Sequence, residues 1–164
     1  MAREPVSFVW ELGIDWNAIQ TGGVGYLRGG LLQDGIPSPG TNPVIPDDTI
    51  TFRIFDVTSP VPSTAPLEGC VTEIVSFGID SQAAVKDQPP EIPLNKTHPE
   101  IVSSSTESGQ SPLFENAFCS WDLEQVKVRN ISGRFLLTVY LQARGPGGVI
   151  RLFNHDPEMV VGEN

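Results

Sequence analysis

Residues 133–157 read GRFLLTVYLQARGPGGVIRLFNHDP, and the fold is decided there. Phe135, Leu137, Val139 and Leu141 alternate with Leu136, Thr138, Tyr140 and Gln142, the period-two pattern of a strand with one face on a core. The glycines and proline of Ala143 to Gly148 then supply turn chemistry, because glycine permits positive φ and proline removes a donor. Val149, Ile150, Leu152 and Phe153 resume an apolar run. The stretch predicts a β-hairpin.

Working outward, the same alternation recurs upstream. Val6, Phe8, Trp10, Leu12, Ile14 and Trp16 fall on one side of a strand, with Ser7, Glu11 and Asp15 on the other. Ile50, Phe52 and Ile54 alternate with Thr51, Arg53 and Phe55 in a second, and Cys70 to Phe77 gives a third. Seven glycines between Thr21 and Gly40 predict a bent edge strand or loop. They make no phosphate loop, since Arg28 stands where the third glycine of Gly-x-Gly-x-x-Gly is required and no Gly-Lys-Ser/Thr follows. Residues 78–112 carry five prolines with many serines and charges, the composition of an exposed loop or insert. For 113–130 the pattern fits both periods, and a short irregular or helical start with a strand near Glu124 to Val128 is expected. Met159, Val160 and Val161 predict a short closing strand.

Sixteen glycines and fifteen prolines among 164 residues exclude long helices and suit many short strands joined by turns. The expected fold is all-β: one domain over 1–164, an antiparallel β-sandwich of jelly-roll or immunoglobulin-like type, with seven to nine strands and the polar insert at 78–112. Twenty acidic against ten basic residues give a formal charge of −10, a field that repels phosphate backbones and anionic bilayers. Neither nucleic acid nor membrane is an expected partner. The first residues lack the apolar core of a secretory signal, so the expected compartment is the cytoplasm. A mature secreted domain is the exception, with which sequons at Asn95 and Asn130 are compatible. Cys70 and Cys119 form no disulfide framework; two buried free thiols are expected, with an inter-sheet bridge as the alternative.

Candidate chemistry is sparse. His155 and Asp156, with Cys119, are the ingredients of a Cys–His nucleophile pair, but sequence alone does not bring them together. Two distant histidines assemble no zinc or iron site, and Asp47-Asp48 lacks the Asp-x-Asp-x-Asp-Gly pattern of a calcium loop and is expected to be a solvated turn. No metal and no cofactor is expected. A carbohydrate-recognising surface would need Trp16, Tyr26 or Trp121 exposed beside Asp or Asn side chains.

The final segment, with its strand, glycine turn, aliphatic and aromatic strand, and Asp156-Pro157 followed by Val160-Val161, resembles the close of the AidA/PixA inclusion-body proteins of bacteria. The resemblance covers the last third of the chain, and Asn154-His155-Asp156-Pro157 stands where that family has an aromatic-Trp-Asp-Pro pattern. It implies a β-sandwich without an established enzymatic role, linked to quorum-regulated or cell-aggregate behaviour, and carries over no functional residue. The expected function is a non-enzymatic binding or self-assembly protein using strand edges and Gly/Pro-rich loops, its partner a second copy or another protein. The alternatives are a carbohydrate-binding sandwich and a hydrolase or isomerase with carboxylates in a cleft.

Overall fold

A computed structural model describes residues 3–38, 42–58, 71–84, 91–105, 111–114, 117 and 119–162. It is all-β, with two mixed sheets around a shared core. The first sheet orders its strands as β4 (Ile36–Pro37), β3 (Arg28–Gln33), β1 (Ser7–Ile14), β6 (Thr49–Asp56), β9 (Cys119–Leu123) and β8 (Ile101–Ser105). A short β10 (Val126–Lys127) also pairs with β6. The second sheet orders β2 (Val24–Tyr26), β12 (Ile150–His155), β11 (Gly133–Arg144), β13 (Glu158–Val161) and β5 (Asn42–Val44), with β7 (Glu73–Ala83) also paired to β11.

The alternation read from 135–142 is realised on β11, whose Phe135, Leu137, Val139, Leu141 and Ala143 are all buried. The predicted hairpin is present. β12 runs antiparallel to β11 from Val139↔His155 to Arg144↔Ile150, across a turn in which Gly147 and Gly148 adopt φ of 74° and 75°. After Asp156 and Pro157 the chain stays beside β11. Leu137 N donates to Pro157 O at 2.9 Å, and β13 continues the same register to Gly133↔Val161. The opposing core face comes from Phe8, Trp10, Leu12 and Ile14 of β1 and Ile50, Phe52 and Ile54 of β6. Trp10 stacks on Phe52 at 5.6 Å, and Phe52 meets Phe77 of the second sheet at 5.2 Å.

Several expectations are corrected. Not all pairing is antiparallel: β1 lies parallel to β6, β2 to β12 and β5 to β13, and in each case strands of both sheets intervene in the chain, so no tight hairpin fixes the direction of the pair. Thirteen strand segments occur among the described residues, more than the seven to nine expected; interruptions at 124–125 and 156–157 divide two strands, and β2, β4 and β5 are pieces of two or three residues. Within residues 78–112, β7 runs on through Ala83 as a partner of β11, and β8 occupies Ile101–Ser105. Between these, residues 91–98 tie the two sheets: Leu94 bridges Val128, and Ile79 N of β7 donates to Thr97 O at 2.8 Å. Residues 111–114 and 117 are irregular, one of the two expected starts, but the strand that follows begins earlier than Glu124, as β9, and near Val126 only the short β10 forms. Cys119 is disulfide-bonded, not a free thiol; the chain's other cysteine, Cys70, lies outside the described residues.

Asp48 is not solvated either. Its carboxylate is fully buried and accepts from Val6 N and Ile45 N at 2.8 Å and from Arg3 Nη1 and Nη2 at 2.8 and 2.5 Å. Burial pushes its pKa up, but these four donors outweigh it and hold the carboxyl below its usual range. Asp47, at φ 72°, turns outward to Lys127 at 2.7 Å.

Candidate functional site

Alternation that buries one face of β11 must present the other. Arg134, Leu136, Thr138, Tyr140, Gln142 and Arg144 therefore point away from the core; all but Thr138 have a cross-strand neighbour on β12 or β13, and all but Arg134 have one on β7, where Thr138 faces the exposed Asp80. Two rows at the middle of this face are uncharged. One is Val24, Leu152, Gln142 and Ser76; the next is Tyr26, Asn154, Tyr140 and Gly78. All of these but Tyr26 and Gly78, together with Thr138, line an open concavity of about 570 Å³.

Gly78 sets the position of Tyr140. A Cβ at residue 78 would fall 2.3 Å from Tyr140 Cζ, so the phenol ring lies where any other residue would place a side chain. The Tyr140 hydroxyl meets His98 Nε2 at 3.3 Å, and His98 Nδ1 meets Thr97 Oγ1 at 2.9 Å, so the 91–98 segment supplies one rim of the concavity. Asn154 Nδ2 donates to Asp156 Oδ2 at 3.2 Å, while Asn154 Oδ1 is buried with no hydrogen-bond partner among the described residues. Tyr26 is half-exposed, at 50%, and Val24, Leu136, Ile150 and Leu152 are exposed by 39–44%. Ion pairs close both ends of the face: Arg144 with Glu73 at 3.0 Å, and Arg134 with Glu158 at 2.5 Å.

The residues singled out from sequence divide between this face and the core. Tyr26 and Asp156 belong to the face. Trp121 is 8% exposed and packs in the core. Trp16 is half-buried, edge-on to Phe153 at 5.0 Å and packed on Gly145, with Nε1 donating to Thr72 Oγ1 at 2.9 Å. Of the three aromatics considered for stacking on a sugar, Tyr26 is the one exposed beside an Asn and close to an Asp. His155 turns inward, edge-on to Trp10 at 6.3 Å, and burial lowers its pKa against an opposing pull from Asp156. Cys119, being disulfide-bonded, offers no thiolate to it. Sequence reasoning passed over Tyr140, Asn154 and Gly78, although Tyr140 already stood on the outward side of the alternation.

The outer face of the first sheet holds the other notable polar cluster. Arg53 binds Asp122 through Nε and Nη2 at 2.6 and 3.0 Å, beside Ser103, Ser105 and Ser120, over a hollow of about 210 Å³. Glu11 is buried beside it, 3% exposed, and accepts from the Ser111 hydroxyl. Bidentate pairing and the field of Glu11 commit the guanidinium and raise the Arg53 pKa, so an anion would meet two carboxylates there. Among the described residues no cluster of three or more His, Cys, Asp or Glu is placed to hold a metal ion. Among these residues no helix is long and apolar enough to cross a membrane. No family model, no curated protein and no solved structure matches the chain.

Proposed function

We propose that this chain is a non-catalytic binding protein whose recognition surface is the outer face of the second sheet. The observation that carries this reading is the uncharged, part-apolar pair of cross-strand rows centred on Tyr26, Asn154 and Tyr140, open to solvent where the equivalent face of the first sheet is partly covered. Apolar side chains exposed together on one face, with a few placed polar groups, are the composition of a contact surface. Two sheets meeting across one core give such a face the rigidity of a β-sandwich. The non-enzymatic role implied by the resemblance to the AidA/PixA proteins accords with this reading. So does the position of the carboxylates: Glu11 is capped by Ser111, and Asp122 is held by Arg53 rather than facing an enclosed cleft.

A second reading concerns the occupant. Tyr26 beside Asn154 and near Asp156 offers a ring face with hydrogen-bonding groups at its edge, the chemistry that takes a neutral sugar. The test of the recognition face is a thermal-shift and calorimetric screen of neutral mono- and disaccharides, with light scattering on the same samples. Wild-type protein is expected to engage either a ligand or itself, and Tyr26→Ala combined with Tyr140→Ala is expected to abolish that engagement with the melting temperature little changed. Engagement that survives both substitutions would place the surface elsewhere.

A further inference from the structure

We infer that the occupant of this face is a small organic cation, an amine carried on an apolar body; the inference rests on the face being the recognition surface. Register is the first argument. His155↔Val139 and Glu158↔Leu136 leave Asp156 opposite Thr138 on one side of β11, and Asp80 pairs with Thr138 on the other. A third cross-strand row, Asp156, Thr138 and Asp80, thus lies next to the row of Tyr26, Asn154 and Tyr140. Both of its carboxylates are exposed, and their strands stand two spacings, roughly 10 Å, apart.

Charge is the second. Asp156 accepts from Asn154 Nδ2 and Asp80 from the N–H of Ser81, and among the described residues neither meets a cation. The guanidinium groups of the face are engaged, Arg134 by Glu158 and Arg144 by Glu73, while Arg151 falls on the inner side of β12, between the outward Ile150 and Leu152. Asn154 Oδ1, buried without a donor, adds an acceptor to the same end. The unmatched charge of the face is therefore negative, in a molecule at −10, and it draws a ligand that brings N–H donors and positive charge.

Shape is the third. Along the strands the rows pass from the exposed Val24 and Leu152, through Tyr26 and Tyr140, to the two aspartates, a run of about 13 Å. The concavity of about 570 Å³ spans the same three rows, from Val24 and Leu152 to Thr138. Sites for small molecules hold roughly 300–1,000 Å³. An ammonium between Asp80 and Asp156 lays its apolar body past Tyr140 toward Leu152 and Val24, with the tyrosine ring placed for cation–π attraction. A neutral sugar would leave both carboxylates without a counter-charge, and a bare ion would leave Val24 and Leu152 in water.

The experiment is an NMR titration of the whole ¹⁵N-labelled chain with 2-phenylethylamine and with its neutral counterpart, 2-phenylethanol. The amine is expected to shift the resonances of Thr138, Tyr140 and Leu152 and to bind about tenfold more tightly than the alcohol. Asp80→Asn combined with Asp156→Asn should remove most of that advantage, and asparagine at 156 keeps an acceptor for Asn154. Glu4→Gln combined with Asp34→Asn, exposed acids beside strands of the first sheet, should keep it. Raising salt from about 20 to about 300 mM should weaken the amine several-fold and leave the alcohol unchanged, a readout that needs no variant. Ethylamine, which keeps the charge and loses the body, should bind at least about tenfold more weakly. Equal affinity for amine and alcohol, an advantage that the Asp80 and Asp156 substitutions leave intact, or ethylamine binding as tightly overturns the inference. Tighter binding of Nα-acetyl-lysine methylamide overturns it in favour of a partner protein's lysine. In each case shifts confined to these rows keep the recognition face, whereas a spectrum unmoved by amine, alcohol and neutral sugars would remove both.

Discussion

The outer faces of the two sheets begin from the same pattern and end differently. On the first sheet, Glu11, Gly13, Gly30 and Phe55 are overlaid by residues 111–114 and 117: Phe114 and Ala117 pack on Phe55, Leu113 reaches Gly30, and Ser111 bonds Glu11. On the second sheet, no described segment crosses the rows of Tyr26, Asn154 and Tyr140, and the 91–98 segment touches only their rim through His98. One face is finished by the chain's own cover. The other keeps its apolar side chains in water, a cost that a bound partner would remove.

This contrast is broken most severely by removing the cover. Phe114→Ala should destabilise the protein by about 2–4 kcal/mol, because a buried ring leaves a cavity in a small cluster. Tyr26→Ala on the open face should cost no more than about 0.5 kcal/mol while abolishing engagement. Urea titrations of the two variants side by side check this, and equal costs would mean the faces do not differ as described. Next in size, Gly78→Ala should displace the Tyr140 ring, with a destabilisation of roughly 1–3 kcal/mol from overpacking. It should also perturb recognition as Tyr140→Ala does, which comparison of the two variants in the binding assay will decide.

A smaller effect comes from His155, which stands between the sheets rather than on either outer face. Burial lowers its pKa, so the unfolded chain takes up the proton first. The stability associated with the neutral ring is complete above the unfolded value of about 6.5 and is lost as pH falls through it toward the lower folded value. Urea midpoints should therefore decline from about pH 8 to about pH 5, and His155→Gln should flatten that part of the slope. An unchanged slope would assign the decline to other groups.

Much of this contrast was readable in the sequence, and the remainder was hidden for physical reasons. The strands β1, β6 and β11 announced themselves because each buries one face, and β12 because an apolar run follows a glycine turn. β8 did not, since an edge strand reading Ile-Val-Ser-Ser-Ser with every residue exposed has no buried face to impose a period. Burial of Glu11 depends on Ser111, 100 residues away, which no local pattern encodes. Asp48 looked like a solvated turn because its donors, Arg3 and the N–H groups of Val6 and Ile45, are gathered only when β1 and β6 pair. Tyr26 was readable as a candidate, but its companions Asn154 and Tyr140 become neighbours only through the register of β2, β12 and β11.

The central claim is that the bare face of the second sheet is where the protein is recognised, and hydroxyl-radical footprinting with and without 2-phenylethylamine or neutral sugars tests it most directly. Tyr26, Ile150 and Leu152 should react freely in the protein alone and become protected when the ligand is added, relative to Val102 and Ile36, which are more exposed still and on the other sheet. Labelling of Tyr26, Ile150 and Leu152 that keeps the same ratio to that of Val102 and Ile36 with the amine and with every sugar would contradict it.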